Sequence, residues 1–254
     1  MLIAVVRDVS PSIARCELTH LERTPIDVNK ARVQHAGYIR CLEKLGCSVH
    51  RLTAEPGLPD SVFVEDPAVV LDEAAVLTRP GAESRRPEVD AIAPVLGLYR
   101  KLVRMEPPDT LDGGDVLRIG RTLYAGLTAR TGPGGVGQLA RLVRPFGYAV
   151  KGVEVSGCLH LKSAVTLVGR DLILYNPSWV DPGIFSAMEA IPIHPDESQA
   201  ANGLLIGRTL LYPSAYPLTL ERLNRRGIPV KTLDLSELAK AEGAVTCCSL
   251  VFKM

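Results

Sequence analysis

The chain has 254 residues, of which 46% are hydrophobic, and its 29 basic and 28 acidic residues leave a net charge of +1. A near-neutral chain has no electrostatic basis for binding nucleic acid or an anionic membrane, so a small-molecule partner is expected. The size and the apolar fraction predict one domain over residues 1–254 with a sizeable core. The N-terminal "MLIAVVRDVS" is not typical of a signal peptide. We therefore expect a cytoplasmic protein whose six cysteines stay reduced.

A short pattern recurs along the chain: an apolar strand, a two-residue turn, a second apolar strand, and a helical segment followed by a further strand. Four such units follow one another at intervals of roughly 40 to 50 residues, which is typical of a stacked or circular repeat architecture. Their turns are Asp72-Glu73, Gly120-Arg121, Gly169-Arg170 and Gly207-Arg208. The pattern predicts ββαβ units with helices between hairpin and third strand.

The two ends of the chain supply a fifth, interrupted unit. It combines the N-terminal "MLIAVV", the helix "VNKARVQHAGYIRCLEKLG", the strand "CSVHRLTA" and the C-terminal strand "CCSLVFKM". Joining both ends in one sheet would close a ring and leave no exposed sheet edge between units. The alternative is a doubly wound parallel sheet, but tight hairpins favour antiparallel neighbours. The glycine-rich "GPGGVG" lacks the Lys-Ser/Thr of a phosphate-binding loop.

Polar residues stand at equivalent places in these units. Asp66, Asp112, His160 and Cys247 each lie shortly before, or at the start of, a predicted strand. In a ring these positions converge on the axis, where a carboxylate, an imidazole and a thiol would form the pattern of an activated cysteine nucleophile. The alternatives are solvated turn carboxylates and a hydrogen-bonded core histidine.

The paired cysteines Cys247 and Cys248 are interpreted as neighbours on one strand. Successive side chains of a strand point to opposite faces. Cys247 is therefore expected to face the axis and Cys248 to pack beneath the blade.

Arginines follow the second strands of two units. Arg85 lies in "TRPGAESRR" and Arg130 in "TARTGPGG", and arginine binds carboxylates through paired, charge-assisted hydrogen bonds. Arg86 is interpreted as a solvated surface residue. Acidic residues near the axis and arginines further out favour a ligand with a cationic and an anionic end, such as an amino acid resembling arginine.

These residues resemble the dimethylarginine dimethylaminohydrolase family of the pentein, or guanidino-group-modifying, superfamily. The motifs "PDSVFVEDPAVV", "TRPGAESRR", "LDGGD", "LHLKS", "AAN" and "TCCS" stand in the family's order over essentially the whole chain. The resemblance implies an α/β fold, a five-bladed ββαβ propeller with pseudo-fivefold symmetry. It also implies hydrolysis of mono- or dimethylarginine to citrulline and a methylamine through a covalent cysteine intermediate, without metal or organic cofactor.

The resemblance also implies roles for individual residues. Cys247 is the implied nucleophile, His160 the acid and base, and Asp112 the acid that orients the histidine. Glu65 and Asp66 are implied to bind the guanidinium, Asp60 the α-amine, and Arg85 and Arg130 the carboxylate. The other implied substrate contacts are Leu18 in a mobile lid over about residues 10–23, Phe63, and Ala241 through its carbonyl.

Three alternative functions predict other sequence features. A papain-like protease places its cysteine before its histidine, whereas here His160 comes first. An arginine deiminase usually carries H-x-D where this chain has His160-Leu161-Lys162, which favours methylated over plain arginine. A non-catalytic, ribosome-binding pentein would lack the triad. The blade faces would also allow a homodimer.

Overall fold

The computed structural model describes residues 1–185 and 187–254. It contains five separate three-stranded sheets, in each of which the central strand pairs antiparallel with one neighbour and parallel with the other. This is the predicted fivefold ββαβ repeat, and the prediction of the fold is confirmed. No helix among the described residues is long and apolar enough to cross a membrane.

Four blades are continuous in sequence. The first two consist of β3 (Ala68–Val70), β4 (Ala74–Leu77), α2 (Pro87–Gly97) and β5 (Lys101–Arg104), then β6 (Val116–Ile119), β7 (Thr122–Leu127), α3 (Pro133–Val143) and β8 (Ala149–Glu154). The next two consist of α4 (Leu161–Ala164), β9 (Val165–Gly169), β10 (Leu172–Tyr175) and β11 (Glu189–Pro192), then β12 (Leu204–Ile206), β13 (Thr209–Pro213), α5 (Pro217–Arg225) and β14 (Val230–Leu233).

The fifth blade is assembled from the two ends of the chain, as predicted. β1 (Leu2–Arg7) continues through α1 (Val28–Lys44) to the parallel β2 (Cys47–Leu52), while the C-terminal β15 (Leu250–Lys253) pairs antiparallel with β1. A short helix, α6 (Ser236–Ala239), precedes the last strand.

The third blade departs from the predicted pattern. Between β10 and β11 the described residues hold only a 3-10 helix, Pro182–Phe185, instead of the α-helix expected after each hairpin. This helix begins at Pro182, just as α2, α3 and α5 begin at proline, so a leading proline does not account for its short length. This blade covers its sheet with Phe185, which is fully buried against Tyr124.

The core lies between the blades. Five clusters of buried apolar side chains each combine residues of two adjacent blades, for example Val5 and Phe252 of the fifth blade with Leu77 and Ile92 of the first. Each blade therefore needs its neighbour to bury its apolar face, which stabilises the closed ring.

Candidate active site

The residues that precede the first strand of each blade converge on one end of the axis. Asp66 precedes β3, Asp112 precedes β6, His160 precedes α4 and β9, and Cys247 precedes β15. All four side chains are buried. Asn202 lies at the equivalent position before β12. At this end of the axis the ring brings together residues that are far apart along the chain: Thr246 and Glu65, which share a hydrogen bond, are separated by 181 positions.

His160 lies between two carboxylates. Its Nε2 is 2.9 Å from Oδ2 of Asp112, and its Nδ1 is 3.8 Å from Oδ1 of Asp66. The other oxygen of Asp112 accepts a hydrogen bond from the backbone N–H of Gly81 at 2.8 Å. A Cβ on Gly114 would lie 2.7 Å from Nδ1 of His160, so glycine is required for the imidazole to sit here.

The carboxylates determine the charge of this histidine. Burial by itself would disfavour the imidazolium, but Asp66, Asp112 and Asp115 outweigh it and raise the pKa of His160 to about 9. In turn, burial opposes the ionisation of Asp66, yet His160 and Arg85 lower the pKa of this carboxyl to about 2. At neutral pH the imidazolium is therefore the favoured form.

Cys247 lies in a turn, not in the strand that the sequence analysis predicted, because β15 begins only at Leu250. Side-chain hydrogen bonds hold the turn: the hydroxyl of Tyr38 bonds to the carbonyl of Val245 and to Ser249. The premise of strand alternation was thus wrong for the paired cysteines. Cys247 nevertheless lines a cavity with His160, while Cys248 is fully buried in the core between blades.

Burial and two acids keep the Cys247 thiol neutral. Desolvation, Glu65 and Asp66 together raise the pKa of the thiol to about 12. The sulfur accepts a hydrogen bond from the backbone N–H of Ala244 at 3.4 Å. A cation placed beside these groups would offset the acids and favour the thiolate.

The cavity is small and enclosed, and most of the residues that the sequence analysis expected at the ligand line it. These are Asp60, Phe63, Asp66, Arg85, Arg130, His160, Ala241 and Cys247. Three expected residues do not line it. Asp112 is hydrogen-bonded to Nε2 of His160, Glu65 pairs with Lys162 and lines a separate channel, and Leu18 packs against an apolar cluster that includes Phe63 and Ala241.

The two arginines differ in how they are held. Arg85 donates from all three guanidinium nitrogens: to Asp66 at 2.5 Å, to both oxygens of Glu88 at 3.1 and 2.8 Å, and to the carbonyl of Phe63 at 3.1 Å. Arg130 donates from Nη2 to Thr19 at 3.1 Å, while its buried Nη1 finds no hydrogen-bond partner among the described residues. An orphaned, buried guanidinium nitrogen is costly unless a ligand satisfies it.

Glu65 forms the floor beneath the cavity. Its carboxylate accepts hydrogen bonds from Nζ of Lys162 at 2.5 Å and from the hydroxyl of Thr246 at 2.7 Å, although burial raises its pKa. Asn202 holds this group together, because it donates to both the carbonyl of Lys162 and the hydroxyl of Thr246. On the far side of this floor a channel of about 930 Å³ opens, lined largely by the strands that face the axis.

Four residues of the cavity lining were missed by the sequence analysis: Glu17, Leu159, Glu242 and Gly243. Glu17, Leu159 and Glu242 adjoin the expected residues Leu18, His160 and Ala241, and Gly243 lies two positions after Ala241, so sequence proximity was the available signal. The tight approach of Gly243 to Phe63 was not readable, since it depends on packing: a Cβ there would lie 2.2 Å from the ring.

Asp66, Asp112 and His160 bring three potential metal-ligand atoms within 4.8 Å of one another. Zinc binds such oxygen and nitrogen donors, but it requires a neutral imidazole. The raised pKa of His160 opposes metal binding at neutral pH.

The five ββαβ blades, with polar side chains gathered at one end of the axis, are those of the pentein fold. No protein-family model matches the chain. The dimethylarginine dimethylaminohydrolase of Streptomyces coelicolor is 40% identical over 249 residues, which cover 97% of this chain and 95% of the relative. That of Pseudomonas aeruginosa is 35% identical over 89% of this chain and 90% of its own length.

The chain belongs to the dimethylarginine dimethylaminohydrolase family, whose members are hydrolases acting on carbon–nitrogen bonds. Solved structures agree: a cysteine-to-serine variant of the Pseudomonas aeruginosa enzyme, complexed with citrulline, superposes with a TM-score of 0.94 at 33% identity over 98% of both chains. The N-terminal domain of a cyanobacterial arginine dihydrolase, 19% identical with a TM-score of 0.89, shares the fold.

Proposed function

We propose that the protein hydrolyses Nω-methylated L-arginine, both dimethylarginine and monomethylarginine, to L-citrulline and a methylamine. The observation that carries the proposal is the charge pattern of one enclosed cavity. This cavity is lined by a thiol, an imidazolium, the carboxylate of Asp66 and Arg130, one guanidinium nitrogen of which has no hydrogen-bond partner among the described residues. An amino acid with a guanidinium side chain satisfies both the carboxylate and Arg130.

Each end of the substrate has its own partners in this proposal. The guanidinium lies against Asp66, above Glu65, and the α-ammonium against Asp60. The α-carboxylate binds Arg130 directly. Arg85, which is held by Asp66 and Glu88, completes the carboxylate site with its remaining donor capacity and keeps Asp66 in position.

The reaction begins with a neutral thiol. The substrate's positive charge offsets the field of Glu65 and Asp66, so that Cys247 loses its proton to solvent on substrate binding and the thiolate attacks the guanidino carbon. Because Nε2 of His160 is held by Asp112, Nδ1 is the nitrogen that transfers protons. It protonates the departing methylamine as the C–N bond breaks, leaving a thiouronium on Cys247.

Hydrolysis then uses the same histidine in the opposite sense. Neutral His160 takes a proton from water, whose oxygen attacks the thiouronium carbon. Breaking of the C–S bond releases citrulline and returns the cysteine. Asp112 orients the ring and stabilises its charged form in both steps, as the acid of a catalytic triad does.

Lys162 supports selection for methylated substrates. Its ammonium is a donor bound to Glu65 and cannot accept an N–H from the far edge of an unmethylated guanidinium. Methyl groups remove such unmet donors and bury apolar surface.

The test is a competition of dimethylarginine, monomethylarginine and arginine, with citrulline, methylamines and ammonia measured separately. We expect both methylated substrates to exceed arginine by at least about tenfold in kcat/KM. Preference for arginine with release of ammonia would instead make the protein a deiminase, and no turnover of any of the three would reject an enzymatic role of this cavity.

A further inference from the structure

The segment over the cavity mouth is tied down by one carboxylate from the opposite side of the mouth. Glu242 accepts hydrogen bonds from three consecutive backbone N–H groups: those of Thr19 at 3.1 Å, His20 at 2.5 Å and Leu21 at 2.7 Å. Hydrogen bonds to a charged acceptor are stronger than neutral ones. We call this arrangement the Glu242 clasp.

The backbone of Glu242 has a conformation that is unfavourable for any residue with a side chain. With φ of +56°, it is the one non-glycine residue of the described chain with positive φ. Glycine would adopt this conformation without a steric penalty. The chain therefore carries a carboxylate at a position whose backbone favours glycine, and that carboxylate binds the lid.

The clasp joins two parts of the cavity wall. Glu242 lies between Ala241 and Gly243, and all three line the cavity a few residues before Cys247. On the lid side, Glu17 also lines the cavity, next to the residues that the carboxylate holds. Because both sides of the clasp line the cavity, a change in the clasp changes the shape of the cavity mouth directly.

Three further ties hold the lid. One is a hydrogen bond from the hydroxyl of Ser84 to the carboxylate of Glu17, and the other two use groups that the proposed substrate needs. The N–H of Glu17 donates to Asp60 at 3.1 Å, and Arg130 donates to the hydroxyl of Thr19 at 3.1 Å. A bound α-ammonium competes for Asp60, and a bound α-carboxylate competes for Arg130. The bonds from Glu242 involve neither of these groups.

We propose that Glu242 is a positioning residue that keeps residues 19–21 closed over the ligand while Asp60 and Arg130 transfer from the lid to the substrate. The inference rests on the proposed function for its effect on substrate capture, but the clasp itself is testable without turnover. Loss of the clasp should weaken retention of the ligand and leave the chemistry at Cys247 little changed.

The experiment compares Glu242→Gly, Glu242→Gln and Glu242→Asp. Glu242→Gly removes the carboxylate and relieves the backbone strain, so Tm should stay the same or rise. Backbone amides 19–21 should nevertheless exchange hydrogen at least about tenfold faster, with and without citrulline. KM for dimethylarginine should rise about tenfold while kcat changes less than about threefold.

The side-chain variants separate charge from shape. Oε1 of Glu242 accepts from all three lid N–H groups and Oε2 only from Thr19, so Glu242→Gln keeps the main acceptor, loses the charge and places an NH₂ group against Thr19 alone. Its exchange should lie between those of the wild type and Glu242→Gly. Glu242→Asp keeps the charge and should recover part of the protection. Glu22→Gln is the matched control, because Glu22 is an exposed carboxylate of the same segment, and it should behave like the wild type.

Wild-type exchange at amides 19–21 in Glu242→Gly would overturn the clasp, whatever the activity. Faster exchange with an unchanged KM would overturn its role in holding the ligand. If the wild type turns over none of the methylated arginines, the proposed function fails, and faster exchange in the citrulline-bound variants would still support the clasp.

Discussion

The innermost strands of the five blades are β3, β6, β9, β12 and β15. The residues just before them form one end of the propeller axis and the strands themselves line the other, and the two ends differ in chemistry. At the closed end, Asp66, His160 and Cys247 surround a small buried cavity. At the open end, a channel of about 930 Å³ is lined mainly by apolar strand residues such as Val70, Leu117 and Leu205. The hydrogen-bonded pair of Glu65 and Lys162 contributes to the lining of the channel and lies between the two.

The difference shows where a repeat protein of this kind places chemistry. Strand residues must satisfy the packing between blades, so their side chains are restricted to apolar types at the buried positions. Residues just before the strands carry no ladder hydrogen bonds and can differ from blade to blade. That freedom gives a carboxylate in two blades and an imidazole, an amide and a thiol in the other three.

The largest effect on the chemistry of the closed end is expected from replacing each of the paired cysteines by serine in turn. Cys247→Ser should lower kcat by more than about 10³-fold, because a hydroxyl in this apolar, acidic setting does not ionise. Cys248→Ser should keep most of the activity and lose only packing free energy, since its side chain is fully buried in the core. Citrulline formation measures both, and the reverse order of activities would refute the assignment.

The next largest effect is expected from Asp112→Asn. The amide cannot stabilise an imidazolium, so the pKa of His160 should fall and kcat should drop by about 10²- to 10⁴-fold. A pH profile of kcat, together with an NMR titration of the histidine, measures the two changes. An unaltered histidine titration would show that Asp66 and Asp115 set the charge of the ring without Asp112.

The two arginines should respond differently although both line the cavity. Arg130→Gln should raise KM by about 30-fold or more with little change in Tm, because the role proposed for this residue is to bind the substrate carboxylate. Arg85→Gln leaves Asp66 and Glu88 buried without their cation, so it should lower the free energy of unfolding by about 3 to 5 kcal/mol.

A substrate analogue without the α-carboxylate tests the role proposed for Arg130 more directly. The wild type should bind it poorly, and Arg130→Gln should bind it no worse than the wild type does. Inhibition constants give the answer. A large further loss of affinity in Arg130→Gln would show that this arginine does not act through the carboxylate.

Much of the fold and of the site was predictable, because each repeat shows in the sequence as two apolar strands joined by a short polar turn. The fivefold ring, its closure by both termini, and the convergence of Asp66, Asp112, His160 and Cys247 on one end of the axis follow from the spacing of strands. The sequence prediction was wrong in two places. The hydrogen bond between Tyr38 and Ser249 helps to hold the cysteines in a turn instead of a strand, and the third blade has a 3-10 helix where an α-helix was predicted.

Pairing within the site was less predictable. The sequence presents Arg85 and Arg130 as equivalent loop arginines, and only packing shows that Glu88 and Asp66 already hold the first. Likewise, Glu65 and Asp66 are neighbours in sequence, but one faces Lys162 and the other the cavity. Partners that are distant along the chain cannot be assigned from spacing.

The charge of the closed end should also appear in the pH dependence of stability. Because the pKa of His160 rises from 6.5 to about 9 on folding, its stabilisation is fully present below pH 6.5 and is lost as pH rises through 9. The loss should reach up to about 3 kcal/mol. Urea unfolding between pH 6 and 10 measures it, with His160→Gln as the control. Equal slopes in both proteins would contradict the raised pKa.

The smallest effect is expected at the open end, from Arg118→Ala. Arg118 lies on β6 at the channel, pairs with both oxygens of Asp72 at 3.0 and 2.5 Å, and stacks over the ring of Tyr148. The pair is partly exposed to solvent, so its loss should cost no more than about 1 kcal/mol of unfolding free energy. Glu65 and Lys162 separate this arginine from the cavity, and kcat/KM should therefore stay within about twofold of the wild type. A change in KM approaching that of Arg130→Gln would mean that the two ends of the axis act as one site, since no contact of Arg118 reaches the closed end in the described residues.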